Sequence, residues 1–156
     1  MAAQFTPNGS APSVLHLLHR AGQCADELFT TIGGADQLTP RQYEVLRTVA
    51  ISDEPSQTYL VSRTGIDRST LADIVRRLVE RGLLQRSRTR HDARRYVVSL
   101  TTAGESALER AGPAVATTNE RLLSALAELN QDDFVVGLSR IIEAVETGPV
   151  AEKSRT

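Results

Sequence analysis

The sequence predicts a mainly α fold carrying one small β-wing, on three observations. Residues 68 to 80 repeat apolar side chains at helical spacing (Leu71, Ile74 or Val75, Leu78) behind Asp67, a side chain suited to capping a helix start. Gly82 stands where that helix would end, at the position that favours left-handed backbone. Beyond it, LLQRSR and the alternating Tyr96, Val98 and Leu100 read as two short strands around TRHDARR, an arginine-rich turn. A helix followed by a basic-tipped hairpin is a winged helix-turn-helix, and the remaining helices are expected to form a dimerisation layer.

Taken in order, residues 1 to 12 hold Pro, Gly, Ser and Asn with little apolar content and are expected to be a disordered arm. From Ser13 to about Ile32 a helix carries Val14, Leu17 or Leu18, Ala21, Ala25, Leu28 and Phe29, and Gly33-Gly34 ends it. Apolar groups on more than one of its faces imply burial against a partner as well as its own core. Thr39-Pro40-Arg41-Gln42 marks the next helix start, with Thr39 and Gln42 placed for a capping box and Pro40 in the first turn. That helix runs through Tyr43, Leu46 and Val49 to about Ile51. A third runs from near Ser56 to Thr64, and Gly65 turns the chain into the helix after Asp67, giving the helix-turn-helix its spacing.

After the hairpin, Thr101 or Thr102 caps a long helix, Thr102 and Glu105 offering a capping box. Its stripe is Ala107, Leu108, Ala111, Val115, Leu122 and Leu126, and Pro113 behind Gly112 predicts a kink or break. Asn130 with Asp133 opens a last helix bearing Phe134, Leu138, Ile141 or Ile142, and Val145, stopped at Gly148-Pro149. The expected organisation is therefore an arm (1–12), a helical dimerisation region (13–37 and 102–147), a winged DNA-binding region (38–101) and a flexible tail (148–156).

Composition excludes several classes. The 40% apolar and 24% charged fractions suit a soluble globular chain, and no apolar run approaches the ~18 residues that span a bilayer. The N-terminus lacks a charged segment ahead of an apolar core, so a cytoplasmic protein without a membrane partner is expected. The lone Cys24 rules out an intrachain disulfide. No G-x-S-x-G, phosphate-cradling glycine loop, H-E-x-x-H or paired-cysteine motif is present, so neither an enzyme nor a cofactor is expected. The net charge of −1 conceals an asymmetry: residues 63 to 95 hold ten Arg against four acids, the rest eight Lys or Arg against fifteen. Basic charge collected on the proposed reading unit is what phosphate attraction requires.

These segments resemble the MarR family of bacterial transcriptional regulators over residues 13 to 146. LTPRQYEVL (38–46), DRSTLADIVRRLVERGLL (67–84) and DARRYVVSLTTAG (92–104) carry the resemblance by their order and spacing. It implies a homodimer on a pseudopalindromic double-stranded operator, usually a repressor released by a small-molecule effector. Residue by residue, Arg94 matches the family's wing-tip arginine that enters the minor groove, and Asp92 the acid that orients it; Arg88, Arg90 and Arg95 complete the basic wing. A narrow minor groove concentrates negative potential and favours such an arginine. Arg68, Ser69, Thr70, Asp73, Arg76 and Arg77 match the DNA-facing stretch of the recognition helix. Arg68 and Arg76 are the choices for base contact, because Arg can bind guanine with two hydrogen bonds; for Arg77 a salt bridge to Glu80 or Asp73 is the alternative. Ser56, Gln57 and Thr58 match phosphate-holding positions.

The resemblance also implies an effector cleft, which His16, His19, Arg20, Gln23 and Tyr43 could line to meet an aromatic or phenolic anion. Ordinary interface packing is the competing reading of the same side chains. Cys24 is expected to be a buried helical thiol, with a redox sensor as the alternative. His16, His19 and Cys24 do not make a metal site, because Cys24 is turned away from the histidine face. From another class, a winged domain used for protein contact without specific DNA binding competes, against the retained Arg94 and the polar recognition face.

Overall fold

The computed structural model describes residues 13–33, 38–53, 55–88, 96–126 and 128–147. In chain order its elements are α1 (Val14–Gly33), α2 (Pro40–Ala50), α3 (Gln57–Thr64), α4 (Arg68–Glu80), β1 (Leu84–Arg88), β2 (Tyr96–Leu100), α5 (Thr102–Ser124) and α6 (Gln131–Thr147). They fall into two compact units, one ending at Thr118 and the other starting at Asn119. The expected arm and tail lie outside the described residues.

Local chemistry sets most boundaries. At α2, the Thr39 hydroxyl accepts from the Gln42 N–H at 3.2 Å while the Gln42 side-chain oxygen accepts from the Thr39 N–H at 3.1 Å, the expected reciprocal cap. Ser56 caps α3 by accepting from the Tyr59 N–H, and Gly65 closes it at φ +65°, in the left-handed region. Asp67 caps α4, accepting from the Thr70 N–H at 3.0 Å and the Ser69 hydroxyl at 2.7 Å. At the other end Gly82, at φ +70°, donates to the Val79 carbonyl and Leu83 to the Leu78 carbonyl, both at 2.9 Å. This pair of bonds satisfies the last free carbonyls of the helix and reverses the chain into β1.

The first unit closes around Val45, Leu46, Val49, Leu60, Leu71, Val75, Leu78 and Leu84, with Val98 and Ala111 covering it. The hairpin is antiparallel, Leu84 facing Leu100 and Arg88 facing Tyr96. The expected alternation of Tyr96, Val98 and Leu100 holds only in part: Val97 is also buried, and Tyr96 is exposed. The reason is a second neighbour. Ser56 bridges to Val97, and the Val98 N–H donates to the Pro55 carbonyl, so both sides of β2 are covered at its middle and neither at its tip.

At α5 the structure chooses between alternatives that the sequence left open. Thr101, not Thr102, is the cap: its hydroxyl accepts from the Gly104 N–H and donates to the Gly82 carbonyl, which leaves a glycine where the Thr102 and Glu105 box needed an acid. The helix also continues past Pro113 to Ser124 without a break. Its buried positions are small (Gly104, Ala107, Ala111, Ala114, Thr118), while Leu122 is exposed and Leu126 lies beyond the helix. In the second unit, Asn130 caps α6 by accepting from the Asp132 and Asp133 N–H groups, and none of the described side chains of α6 is buried.

Candidate nucleic-acid interface

Helix α4 has two chemically distinct sides. Leu71, Ile74, Val75 and Leu78 are buried in the core, which obliges Arg68, Ser69, Arg76 and Arg77 to face outward and leaves Thr70 and Asp73 half-buried. The outward side is thus polar, basic and on a helix thin enough for the major groove. Helix α3 precedes it with Gln57 and Thr58 exposed in the first turn; Ser56 spends its oxygen on the cap but keeps its O–H as a donor.

The outward side of α4 is cross-linked by charge. Arg76 donates from Nη2 to Asp73 at 2.5 Å and from Nη1 to Glu80 at 2.7 Å, and Arg77 is held through Nε on the other Asp73 oxygen at 2.7 Å. Arg76, chosen from the sequence as a base reader, is therefore tied on both sides, and the alternative noted for Arg77, an ion pair with Asp73, is present. Arg68 has no ion-pair partner among the described residues. The Arg76 hydrogen bond and then the Arg77 charge hold the Asp73 carboxyl below the usual carboxylate range, and Asp73 followed by Glu80 raises the Arg76 guanidinium. Asp67 sits well below that range too, held first by hydrogen bonds from Thr70 and then from Ser69.

On the wing, strand alternation places Arg86 and Arg88 on one side of β1, beside Val98 and Tyr96 of β2. The Arg88 guanidinium lies 5.9 Å from the Tyr96 ring centroid. Arg86 and Tyr96 extend the basic side towards α4: Gln57, Val75, Arg86, Tyr96 and Val98 line one open notch. Neither was selected from the sequence, although Arg86 stands two residues before Arg88, the spacing that puts both on one side. Arg90, Asp92, Arg94 and Arg95 lie outside the described residues.

Four of the candidate effector residues lie on α1 and the fifth on α2. His16, His19, Arg20 and Gln23 are exposed on α1, with Arg20 donating to the Gln23 side-chain oxygen at 2.8 Å. Tyr43 is half-buried and meets α1 at Phe29, their ring centroids 6.2 Å apart. His16 precedes Phe29 by 13 residues, about 20 Å along a helix at ~1.5 Å per residue, and Gln23 by six, about 9 Å. Cys24 is exposed rather than buried, because upstream of Phe29 the described residues leave α1 largely uncovered. A cavity of about 680 Å³ lies among Val49, Ser52, Asp53, Arg88, Val97 and Glu105.

Against known proteins, the profile described as MarR family matches residues 36–95. The HTH-type transcriptional repressor NicR of Pseudomonas putida is 31% identical over 141 residues, 90% of this chain and 89% of its own. Among solved structures, the transcriptional repressor CouR bound to a 23-mer DNA duplex is 31% identical, covers 83% of this chain and 92% of its own, and superposes with a TM-score of 0.76. A structure of Bordetella bronchiseptica BpsR, described as showing how 6-hydroxynicotinic acid regulates its DNA binding, is 29% identical, with a TM-score of 0.71 over 83% of this chain and 98% of its own. A helix-turn-helix with an outward basic side, a two-stranded wing and a likeness that runs over most of both chains lead to one conclusion: the protein belongs to the MarR family of winged-helix transcriptional regulators.

Proposed function

We propose that this chain is a dimeric, ligand-responsive DNA-binding regulator, a repressor that leaves a pseudopalindromic operator when a small aromatic acid binds. One observation carries the reading: α4 closes the core with one side and presents Arg68, Ser69, Thr70, Asp73, Arg76 and Arg77 on the other. In this reading Ser56, Gln57 and Thr58 hold phosphate, Arg68 reads a base edge, and Arg88, Arg90, Asp92, Arg94 and Arg95 form the wing contact. Residues 13–37 and 102–147 supply the dimer, and 38–101 the DNA-binding part. The heteroaromatic acid that regulates BpsR supports the effector class; His16, His19, Arg20 and Gln23, exposed on α1, and Tyr43 on α2 are its candidate contacts. The effector acts by differential affinity, favouring a dimer whose recognition helices are wrongly spaced for adjacent grooves.

The test is selection of bound sequences from random duplex DNA. Arg68→Ala lowers preference at one base position by about 1–3 kcal/mol, and Arg94→Ala weakens operator binding without unfolding the chain. Unchanged binding in both variants at controlled salt would remove α4 and the wing from the mechanism. Release by an aromatic acid that persists in Cys24→Ser separates this effector from a thiol switch.

A further inference from the structure

We propose that Asp73 is a positioning residue that makes Arg77, rather than Arg76, the sequence-reading arginine in the second half of α4. This rests on the DNA-reading role proposed above. One carboxylate serves two arginines, its Oδ1 accepting from Arg76 Nη2 and its Oδ2 forming an ion pair with Arg77 Nε at 2.7 Å. Glu80 takes Arg76 from its other end, through Nη1. The two arginines are therefore left unequal. Arg76 has both terminal nitrogens engaged, whereas Arg77 is steered through Nε alone and keeps both terminal nitrogens for a second, bidentate partner.

The four groups together carry no net charge. Phosphate attraction by α4 then comes chiefly from Arg68, and Arg77 contributes direction more than charge. Each pair, roughly half exposed, contributes little in water. It gains weight when a duplex excludes water from the helix and lowers the local dielectric. Spacings of three and four residues keep all four groups on neighbouring turns, so docking requires no new rotamer for Arg77.

The experiment measures affinity for a selected operator and for a random duplex across a salt series, using the full chain. Asp73→Asn removes one negative charge and releases Arg77, Arg76 keeping Glu80, so affinity for the random duplex rises about three- to tenfold at moderate salt and the salt dependence steepens. Preference for the operator falls at the base position that Arg77→Ala also loses. Arg76→Ala weakens operator and random duplex alike. In the Arg77→Ala background, Asp73→Asn causes no further loss of preference; fully additive losses overturn the positioning role. Retained preference and an unchanged salt slope in a folded Asp73→Asn also overturn it. If Asp73→Asn does not fold, Asp73→Glu keeps the charge and displaces the carboxylate, and the same readout decides: altered preference at that position supports the proposal and none overturns it. A wild-type protein that prefers no sequence defeats the DNA-reading role itself, which distinguishes that failure from this one.

Discussion

A Cβ atom at Gly104 would collide with the Leu83 carbonyl oxygen and lie 3.1 Å from a Leu100 methyl group. The first neighbour is backbone and cannot rotate away, so α5 and the turn between α4 and β1 approach as closely as they do only because residue 104 has no side chain. Gly104→Ala should cost about 1–3 kcal/mol or more, as overpacking does, and lower the melting temperature by roughly 3–10 °C. Thermal unfolding followed by circular dichroism checks this; an unshifted transition would mean that the junction relaxes freely. Gly104 ends the sequence motif DARRYVVSLTTAG, yet its reason stands 21 positions earlier in the chain, at a carbonyl no spacing rule points to. Tyr96 teaches the same lesson in reverse. Its alternation with Val98 and Leu100 suggested burial, and the tip of the wing leaves it exposed beneath Arg88.

Helix α4 is held at its first turn by Asp67 and along its outer side by Asp73, and both carboxyls titrate below their ordinary range. A carboxyl whose folded value is depressed stabilises the fold fully above its unfolded value, near pH 4, and loses that contribution as pH falls through the lower folded value. The contribution of these two carboxyls should therefore be constant through neutral pH and decline below about pH 4. Asp67→Ala should be less stable at pH 7 and show a shallower acid decline. Melting temperatures of both proteins between pH 7 and pH 2 decide the matter, and parallel acid limbs would deny Asp67 its role. Within this element the sequence was informative at both ends, because a cap and its partner lie within four residues of each other. It left open whether Arg77 pairs with Asp73 or with Glu80, a choice of rotamer that neighbouring side chains settle.

For the whole molecule, the telling feature is apolar surface that one chain leaves uncovered. Val14, Leu15 and Leu17 on α1 are each more than half exposed, as are Ile142 and Val145 on α6. Helical stripes of this kind are what an obligate interface covers, and a two-fold dimer would present two copies of α4 to successive major grooves about 34 Å apart. Leu15→Glu combined with Ile142→Glu should leave the proposed dimer monomeric at micromolar concentration and reduce operator affinity at least tenfold. Sedimentation equilibrium reads the first effect directly. A variant that remains dimeric would show that these stripes serve something else.

What the sequence determined by itself is the set of features closed within a turn or two: the Thr39–Gln42 box, the Ser56 and Asp67 caps, the left-handed Gly65 and Gly82, and the apolar period of α4. From these followed the helix-turn-helix, the wing and the basic side that carries the proposed site. Only the tertiary structure decided that β2 is covered by Pro55 and Ser56, that α5 packs through alanines rather than leucines, and that Cys24 and the α1 histidines stay in the open. Capping and periodicity are short-range and written in adjacent residues. Burial depends on which distant surface arrives to exclude water, and the spacing of side chains along the chain does not encode that arrival.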